Sequence, residues 1–453
     1  MRSVRMRLLG ALAVGLVSLL SLVKPAEAVP SFASQTGQPC SACHIGSFGP
    51  YLTPFGRAFK LSGYTLGGGD GLASEIPLSG MVITSFTHTA SAQPSPPAQG
   101  FYDNNNPALD QISLFLAGRV NDYVGGFVQG TYDGVGRAFL WDNTDVRVST
   151  PINLPSDTNL RLGVSFNNGP TVQDPYNTTY AWGYPFASSA LAPTPTAGPI
   201  IGALIGNTLG MTVNAWYDNS LYVEIGAYGT QSPALAKMLG QYTYPGTSVG
   251  PMPYARVAYE WDWSGQAAEV GGLIFNARLQ PGGIPGFGTD GYTDMAIDGT
   301  YQFIGDGTNT VSILGIFTHE IQHLNSSVAQ GLAGTTNGYL NQFTATATYF
   351  YEKTYGINFS IQKTSGSSDA VLYAPAPLTG SNNGSPNSLG LITELDWVPF
   401  GKNDSWAQPF VNMKFGLQYA VYPQFNGGGS NYDGFGRSAG ANNTLYAFAW
   451  LAF

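Results

Sequence analysis

Ile112-Ser113-Leu114-Phe115-Leu116-Ala117 alternates one apolar set of side chains with a second, mixed set. Successive side chains of an extended chain point to opposite faces, so this run reads as a strand with one apolar and one mixed face. The period of two recurs far down the chain. Leu273 and Phe275 alternate with Ile274 and Asn276, and Val411, Met413 and Phe415 alternate with Asn412, Lys414 and Gly416. Sixteen such segments begin near residues 77, 109, 123, 138, 159, 209, 220, 253, 267, 292, 309, 340, 356, 388, 409 and 441. Segments of about ten residues with two dissimilar faces suit a membrane-spanning β-barrel, and an even number returns both ends of the chain to one side.

The connections test the same idea independently. Tight turns at Asn121-Asp122, Asp218-Asn219, Ser264-Gly265, Gly305-Asp306-Gly307 and Glu352-Lys353, with moderate ones near 150–158 and 400–408, alternate with longer stretches near 91–108, 168–208, 231–251, 280–291, 325–339, 365–387 and 423–440. A shorter connection near 133–137 joins the second set. Short turns on one side and long loops on the other are the mark of an outer-membrane barrel. The Pro-rich stretch 168–208 reads as a surface lid, a loop folded into the lumen or a plain exposed loop.

Composition points the same way. Charged residues make up 10% of the chain, against about 25% in an ordinary soluble protein. The 26 Tyr, 25 Phe and 59 Gly argue against disorder, and only one long apolar run occurs, so a bundle of membrane helices is excluded. That run, Leu8 to Val23, follows Arg2, Arg5 and Arg7 and precedes Ala26-Glu27-Ala28, which predicts a cleaved secretory leader over residues 1–28. A net charge of −9 with no basic block beyond the leader argues against nucleic acid as a partner.

The chain ends on Phe453, an aromatic ending that resembles the signal read by the outer-membrane assembly machinery. Tyr446, Phe448 and Trp450 fall on the opposite parity, so the last strand has one aromatic and one aliphatic face, with lipid on either.

Before the barrel stands Cys40-Ser41-Ala42-Cys43-His44, which holds the only two cysteines in the chain. Two thiols at this spacing can add to the vinyl groups of a haem, and the next histidine is placed to ligate the iron, so the string reads as a c-type attachment site. A zinc site of four thiolates is impossible with two cysteines; two thiols completed by distant histidines form the remaining metal alternative. A thioredoxin-like pair needs a βαβ neighbourhood that these Pro- and Gly-dotted flanks lack, and a plain disulfide leaves His44 without a role. Beyond the string, Thr53 and Pro54 open a predicted short helix through Leu61, with Gly63 past its end. A segment this small rarely folds alone, so the barrel must supply its wall.

Pro30-Ser31-Phe32-Ala33, Gln35-Thr36-Gly37, Leu52-Thr53-Pro54-Phe55-Gly56-Arg57 and Gly63-Tyr64, followed by a barrel-length β region, resemble the fused outer-membrane cytochrome-porins of iron-oxidising bacteria. The resemblance implies one covalent haem c plugging a porin-like barrel in the outer membrane of a Gram-negative bacterium. Cys40 and Cys43 would attach it, and His44 would be the proximal iron ligand. It implies electrons taken from an extracellular donor, ferrous iron, and passed to a periplasmic carrier such as a soluble cytochrome. The alternative is a porin passing small solutes around a structural or sensory haem plug.

Two further signals compete. His319-Glu320-Ile321-Gln322-His323 matches the zinc-protease string H-E-x-x-H, which works only on a helix. Here it ends Val311-Ser312-Ile313-Leu314-Gly315-Ile316-Phe317-Thr318, a predicted strand, where the histidines share a face but stand about 13 Å apart at about 3.3 Å per residue. Protease activity is therefore not expected, and a polar strand end, or a weak external iron patch, is. For the far side of a haem iron, Met81 and His88 on the first strand are the candidates, and Arg57 and Lys60 are candidates to pair with haem propionates or to form an exposed basic helix end. The expected organisation is a leader over 1–28, a haem segment over 29–75 and an all-β, sixteen-stranded antiparallel transmembrane barrel over 76–453, surrounded by outer-membrane lipid.

Overall fold

A computed structural model describes residues 31–67, 77–155, 158–241, 245–408 and 410–453. The predicted leader and the junction expected at 75–76 lie outside the described residues. Sixteen long strands follow the N-terminal segment: β1 (Leu78–Thr89), β2 (Asn106–Arg119), β3 (Val124–Asp133), β4 (Ala138–Asn153), β5 (Asn159–Asn167), β6 (Thr208–Tyr217), β7 (Leu221–Thr230), β9 (Met252–Trp263), β10 (Gln266–Pro281), β11 (Asp290–Phe303), β12 (Asn309–His323), β13 (Asn337–Tyr351), β14 (Tyr355–Gly366), β15 (Ser388–Trp397), β16 (Asn412–Gln424) and β17 (Thr444–Ala452). The three-residue β8 (Gly246–Ser248) extends the sheet beside β10. Each predicted strand start lies within three residues of an observed one.

The long strands pair antiparallel in chain order, and β1 pairs with β17 from Met81↔Ala452 to Thr89↔Thr444, so the sheet closes on itself. Closure removes the unpaired edge that an open sheet would present to lipid. Turn chemistry supports the register: Asp218 and Asn219, Ser264 and Gly265, and Glu352 and Lys353 all have positive φ, the pairwise left-handed geometry whose twist matches a tight hairpin.

Period two assigns the faces. Ile112, Leu114 and Leu116 of β2 are exposed, while Ser113 and Ala117 are buried. Phe415, Leu417 and Tyr419 of β16 are exposed, and Lys414 and Gln418 between and beside them are buried. The exposed apolar band is the lipid face and the polar side chains face the lumen. Exposed Tyr217, Trp261, Trp263, Phe303, Tyr351, Tyr355 and Trp397 cluster at the short-turn end, forming an interfacial aromatic girdle. The last strand puts its aromatic face inward: Tyr446 and Phe448 are buried, and the Tyr446 hydroxyl donates to Asp110 Oδ2 at 2.7 Å.

The long connection between β5 and β6 folds into the lumen. Asn168, Thr171, Val172, Gln173 and Asp174 are all buried. Arg256 of β9 holds Asp174 at 3.4 Å and Asp298 of β11 at 2.7 Å, which ties the loop to the wall. Further along, the backbone N–H groups of Ile200 and Ile201 donate to Glu320 and Asp294, at 2.5 and 2.9 Å. The described N-terminal segment, residues 31–67, shares the lumen with this loop.

Candidate cofactor site

Cys40–Cys43 form one helical turn, closed when the His44 N–H donates to the Cys40 carbonyl at 2.9 Å. In such a turn positions three apart share a side, so both thiols face the same space. The helix Pro54–Leu61 follows as its sequence predicts, with Thr53 capping it by accepting from the Gly56 N–H at 3.2 Å. Two further bonds from Thr53, its N–H to the Cys43 carbonyl at 2.9 Å and its hydroxyl to the Ala42 carbonyl at 2.5 Å, clamp this helix onto the cysteine turn. At Gly56 the approach is so close that a Cβ would lie 2.4 Å from the Cys43 carbonyl oxygen.

The cysteine turn rests on the connection between β15 and β16. The Cys40 N–H donates to Gln408 Oε1 at 3.2 Å, Ser41 donates to Asn403, and the Ser47 hydroxyl donates to the Gly401 carbonyl at 2.6 Å. Asn412 at the start of β16 donates to the Ser47 carbonyl at 2.7 Å. The string is thereby fixed at the short-turn end of the barrel, which in an outer-membrane barrel faces the periplasm.

Cys40, Cys43 and His44 line one cavity of about 550 Å³, within the usual range for a small-molecule or cofactor cleft. Phe115, Ala117 and Phe127 of the wall and Trp182 and Phe186 of the inserted loop also line it. Aromatic rings pack around it in pairs: Phe48 meets Trp450 edge-on at 5.0 Å, and Tyr51, behind the lining, meets Phe186 at 4.6 Å. The donor set and the space suit a covalently attached haem. Both cysteines are unpaired, and burial raises both thiols, Cys43 to about 12, unlike the lowered thiol of a reactive redox cysteine. Burial also lowers the His44 imidazole to about 4, so it is neutral at pH 7, the form that binds a metal. Its Nδ1 is fully buried, and the residue lines the cavity.

Several expectations change. Arg57 is neither an exposed helix end nor a cavity group: it is buried, paired with Glu260 at 2.6 Å and donating to Gln302 at 3.0 Å. Lys60 lines the cavity, but its ammonium donates to the carbonyls of Val172 and Asp174 and to Asn177 Oδ1, at 2.9, 2.7 and 2.9 Å. Three N–H groups meet three acceptors, so Lys60 holds the inserted loop and has no donor to spare for a propionate. The reason is common to both: the barrel encloses the helix and offers acceptors that an isolated segment lacks.

The H-E-x-x-H string lies on β12, as a strand. Glu320 points inward and is buried, whereas His319 and His323 point outward and pair with Asn341 and Asn337 at 2.7 and 2.9 Å. Among the described residues, no three His, Cys, Asp or Glu side chains converge as a metal site. His88 likewise points outward, to Asn105 Oδ1 at 2.8 Å, and Met81 points into the cavity. Phe115 and Ala117 were traceable in sequence as one face of β2. Trp182 and Phe186 carried no such signal, because only the tertiary path of their loop brings them to the cavity.

Fold and cavity together define a plugged, sixteen-stranded transmembrane barrel of the outer-membrane type. No protein-family model matches the chain, and no curated protein matches its sequence. Among solved structures it is similar to an anion-selective porin from Comamonas acidovorans, at 12% identity over 83% of this chain and 98% of that one, with a TM-score of 0.45. It is also similar to Pseudomonas putida OprB, at 12% identity over 83% and 93% of the two chains, TM-score 0.46. A third is the outer-membrane channel DcaP of Acinetobacter baumannii, at 11% identity over 83% and 96%, TM-score 0.44.

Proposed function

We propose that the chain is an electron-transfer protein of the Gram-negative outer membrane, taking electrons from extracellular ferrous iron through one covalent haem c to a periplasmic carrier such as a soluble cytochrome. One observation carries the reading: the two cysteines of the chain and His44 line a single cavity inside the barrel. Cys40 and Cys43 would hold the group by thioether links and His44 by its Nε2; a haem so held supplies one-electron chemistry. The protein's own part is positional. The cysteine turn fixes the site near the periplasmic rim, and aromatic side chains of the wall and the inserted loop line it. Moving the electron inward, and not the metal, keeps poorly soluble ferric products outside.

The alternative is a porin passing small solutes around a structural or sensory haem plug. The buried loop and its ion pairs with the wall leave the lumen occupied, which favours the first reading. A haem-stained gel of outer-membrane fractions, followed by redox titration with ferrous iron, tests it. Expected are a stained band at the size of this chain, reduction by ferrous iron and no steady current in planar bilayers. A stained protein inert to ferrous iron but carrying steady currents would establish the porin reading instead.

A further inference from the structure

The far side of the haem iron is where the barrel wall itself has something to add. On β1, Ser79, Ile83, Thr87 and Thr89 are buried and Phe86 is exposed, so odd positions face the lumen. Met81 shares that parity and lines the same cavity as Cys40, Cys43 and His44. Its register neighbours, Ser113 of β2 and Ala452 of β17, are small, which leaves the thioether room above the wall. The sulfur has one weak contact, Gln111 Nε2 at 3.9 Å.

The other soft or nitrogen donors near the cavity are committed. Lys60 spends its three N–H groups on the inserted loop, and His88 stands on the opposite face of β1. Tyr64 donates to Asp145 at 2.7 Å, and Asn177 both accepts from Lys60 and donates to the Pro50 carbonyl. Thioether sulfur is a soft, neutral donor well matched to haem iron, and its pairing with histidine raises the reduction potential.

We infer that Met81 is the distal axial ligand, supplied by the barrel wall to a haem held by the N-terminal segment. The inference rests on the electron-transfer reading for the haem, and adds that the iron bridges two parts of the fold: His44 from the plug and Met81 from β1. That bridge would lock the small segment to the wall, beyond what its hydrogen bonds provide. A raised potential also suits a site that must accept electrons from a weak reductant.

The test uses the full-length haem-loaded protein in detergent. Wild type is expected to show the near-infrared sulfur-to-iron charge-transfer band of a ferric His/Met haem. Met81→Leu, which keeps the apolar volume, should lose that band, lower the potential and bind added imidazole without competition, while staining for covalent haem as wild type does. Met81→His should restore a low-spin, six-coordinate spectrum without the band. His88→Ala should leave the spectrum unchanged. A wild-type band that survives Met81→Leu, a wild type without the band, or a band lost in His88→Ala would overturn the assignment. Absence of covalent haem from wild type would instead remove the reading beneath it, and the stained gel separates the two failures. Should Met81→Leu fold poorly, the Met81→His spectrum decides alone, since a retained sulfur band is impossible if Met81 was its source.

Discussion

Cys40–His44 and His319–His323 are both short strings with histidine at a ligand-like spacing, and the fold treats them in opposite ways. The first sits on a helical turn inside the barrel, where residues three apart share a side and both thiols open on one cavity. The second sits on β12, where its histidines face outward and its glutamate faces inward, hydrogen-bonded to the inserted loop. The same kind of spacing means convergence on one backbone and separation on the other. A motif is thus a statement about a backbone as much as about side chains, and the alternation around it says which backbone applies.

The sharpest way to break this comparison is to remove the candidate ligating groups of each string in turn, taking the proposed haem as the readout. Cys40→Ser with Cys43→Ser should abolish covalent haem entirely on a stained gel. His319→Ala with His323→Ala should leave the stain at the wild-type level and leave no zinc-dependent proteolysis to lose. Haem loss in the second pair, or retention in the first, would reverse the roles assigned here.

Next in size is the hold of the wall on the inserted loop that helps line the cavity. Arg256→Ala strands Asp174, Glu269 and Asp298, all in contact with the guanidinium in the native protein. Removing one partner from a buried charge network costs about 3–5 kcal/mol, because the remaining charges stay buried without compensation. Denaturant unfolding in detergent micelles should show a loss of that order. Arg256→Lys should recover only part of it, since a single ammonium cannot reproduce the fork that reaches several carboxylates. A loss below about 1 kcal/mol, the scale of an exposed pair, would mean the loop is held by other contacts.

These expectations also mark how much was legible from the residues alone. The barrel, its strand starts and its short and long connections followed from alternation and turn chemistry, because the period of two and the left-handed turn positions are local properties. The cysteine turn and the helix opened by Thr53 and Pro54 were local too. What escaped was set by tertiary partners. Arg57 found Glu260 across the lumen, and Lys60 found the carbonyls of a loop more than a hundred residues away. Alternation put Met81 and His88 on opposite faces of the first strand, but only the burial of Ser79, Ile83, Thr87 and Thr89 in the closed barrel showed that the Met81 face is the lumen. The last strand was ambiguous because both of its faces are apolar, and the inward aromatic face packs against the plug through Phe48 and Trp450.

A smaller effect probes the cysteine turn itself. Gly56→Ala puts a Cβ 2.4 Å from the Cys43 carbonyl oxygen, so the helix must move off the turn. Overpacking of this kind costs about 1–3 kcal/mol. The measurable consequence is local: a lower fraction of chains carrying haem, with the unfolding of the barrel little changed. Gly198→Ala, where no atom lies within 4 Å of the added Cβ, is the control expected to match wild type. Equal haem loading in both would show that the clamp between helix and cysteine turn is looser than its two hydrogen bonds suggest.

The smallest effect lies at the other string's end of the barrel, beyond His323. Burial raises the carboxyl of Asp369, but hydrogen bonds from the backbone N–H groups of Leu372, Val371, Gly334 and Thr335 outweigh it and hold the group at about 2, below its ordinary 3.8. A depressed folded value means that the unfolded loops bind more protons between about 2 and 4, so the stabilisation is complete above that window and is lost as pH falls through it. Amide exchange at Gly334, Thr335, Val371 and Leu372 should accelerate beyond its intrinsic acid dependence as pH drops from about 4 to 2. Asp369→Asn should be locally looser at neutral pH and should lose the acid transition, because the amide gives up the charge-assisted acceptor without gaining a titration. Haem content at neutral pH should not change in this variant. A change there would couple the long-loop end of the barrel to the cysteine turn, and the two strings would no longer belong to independent parts of the fold.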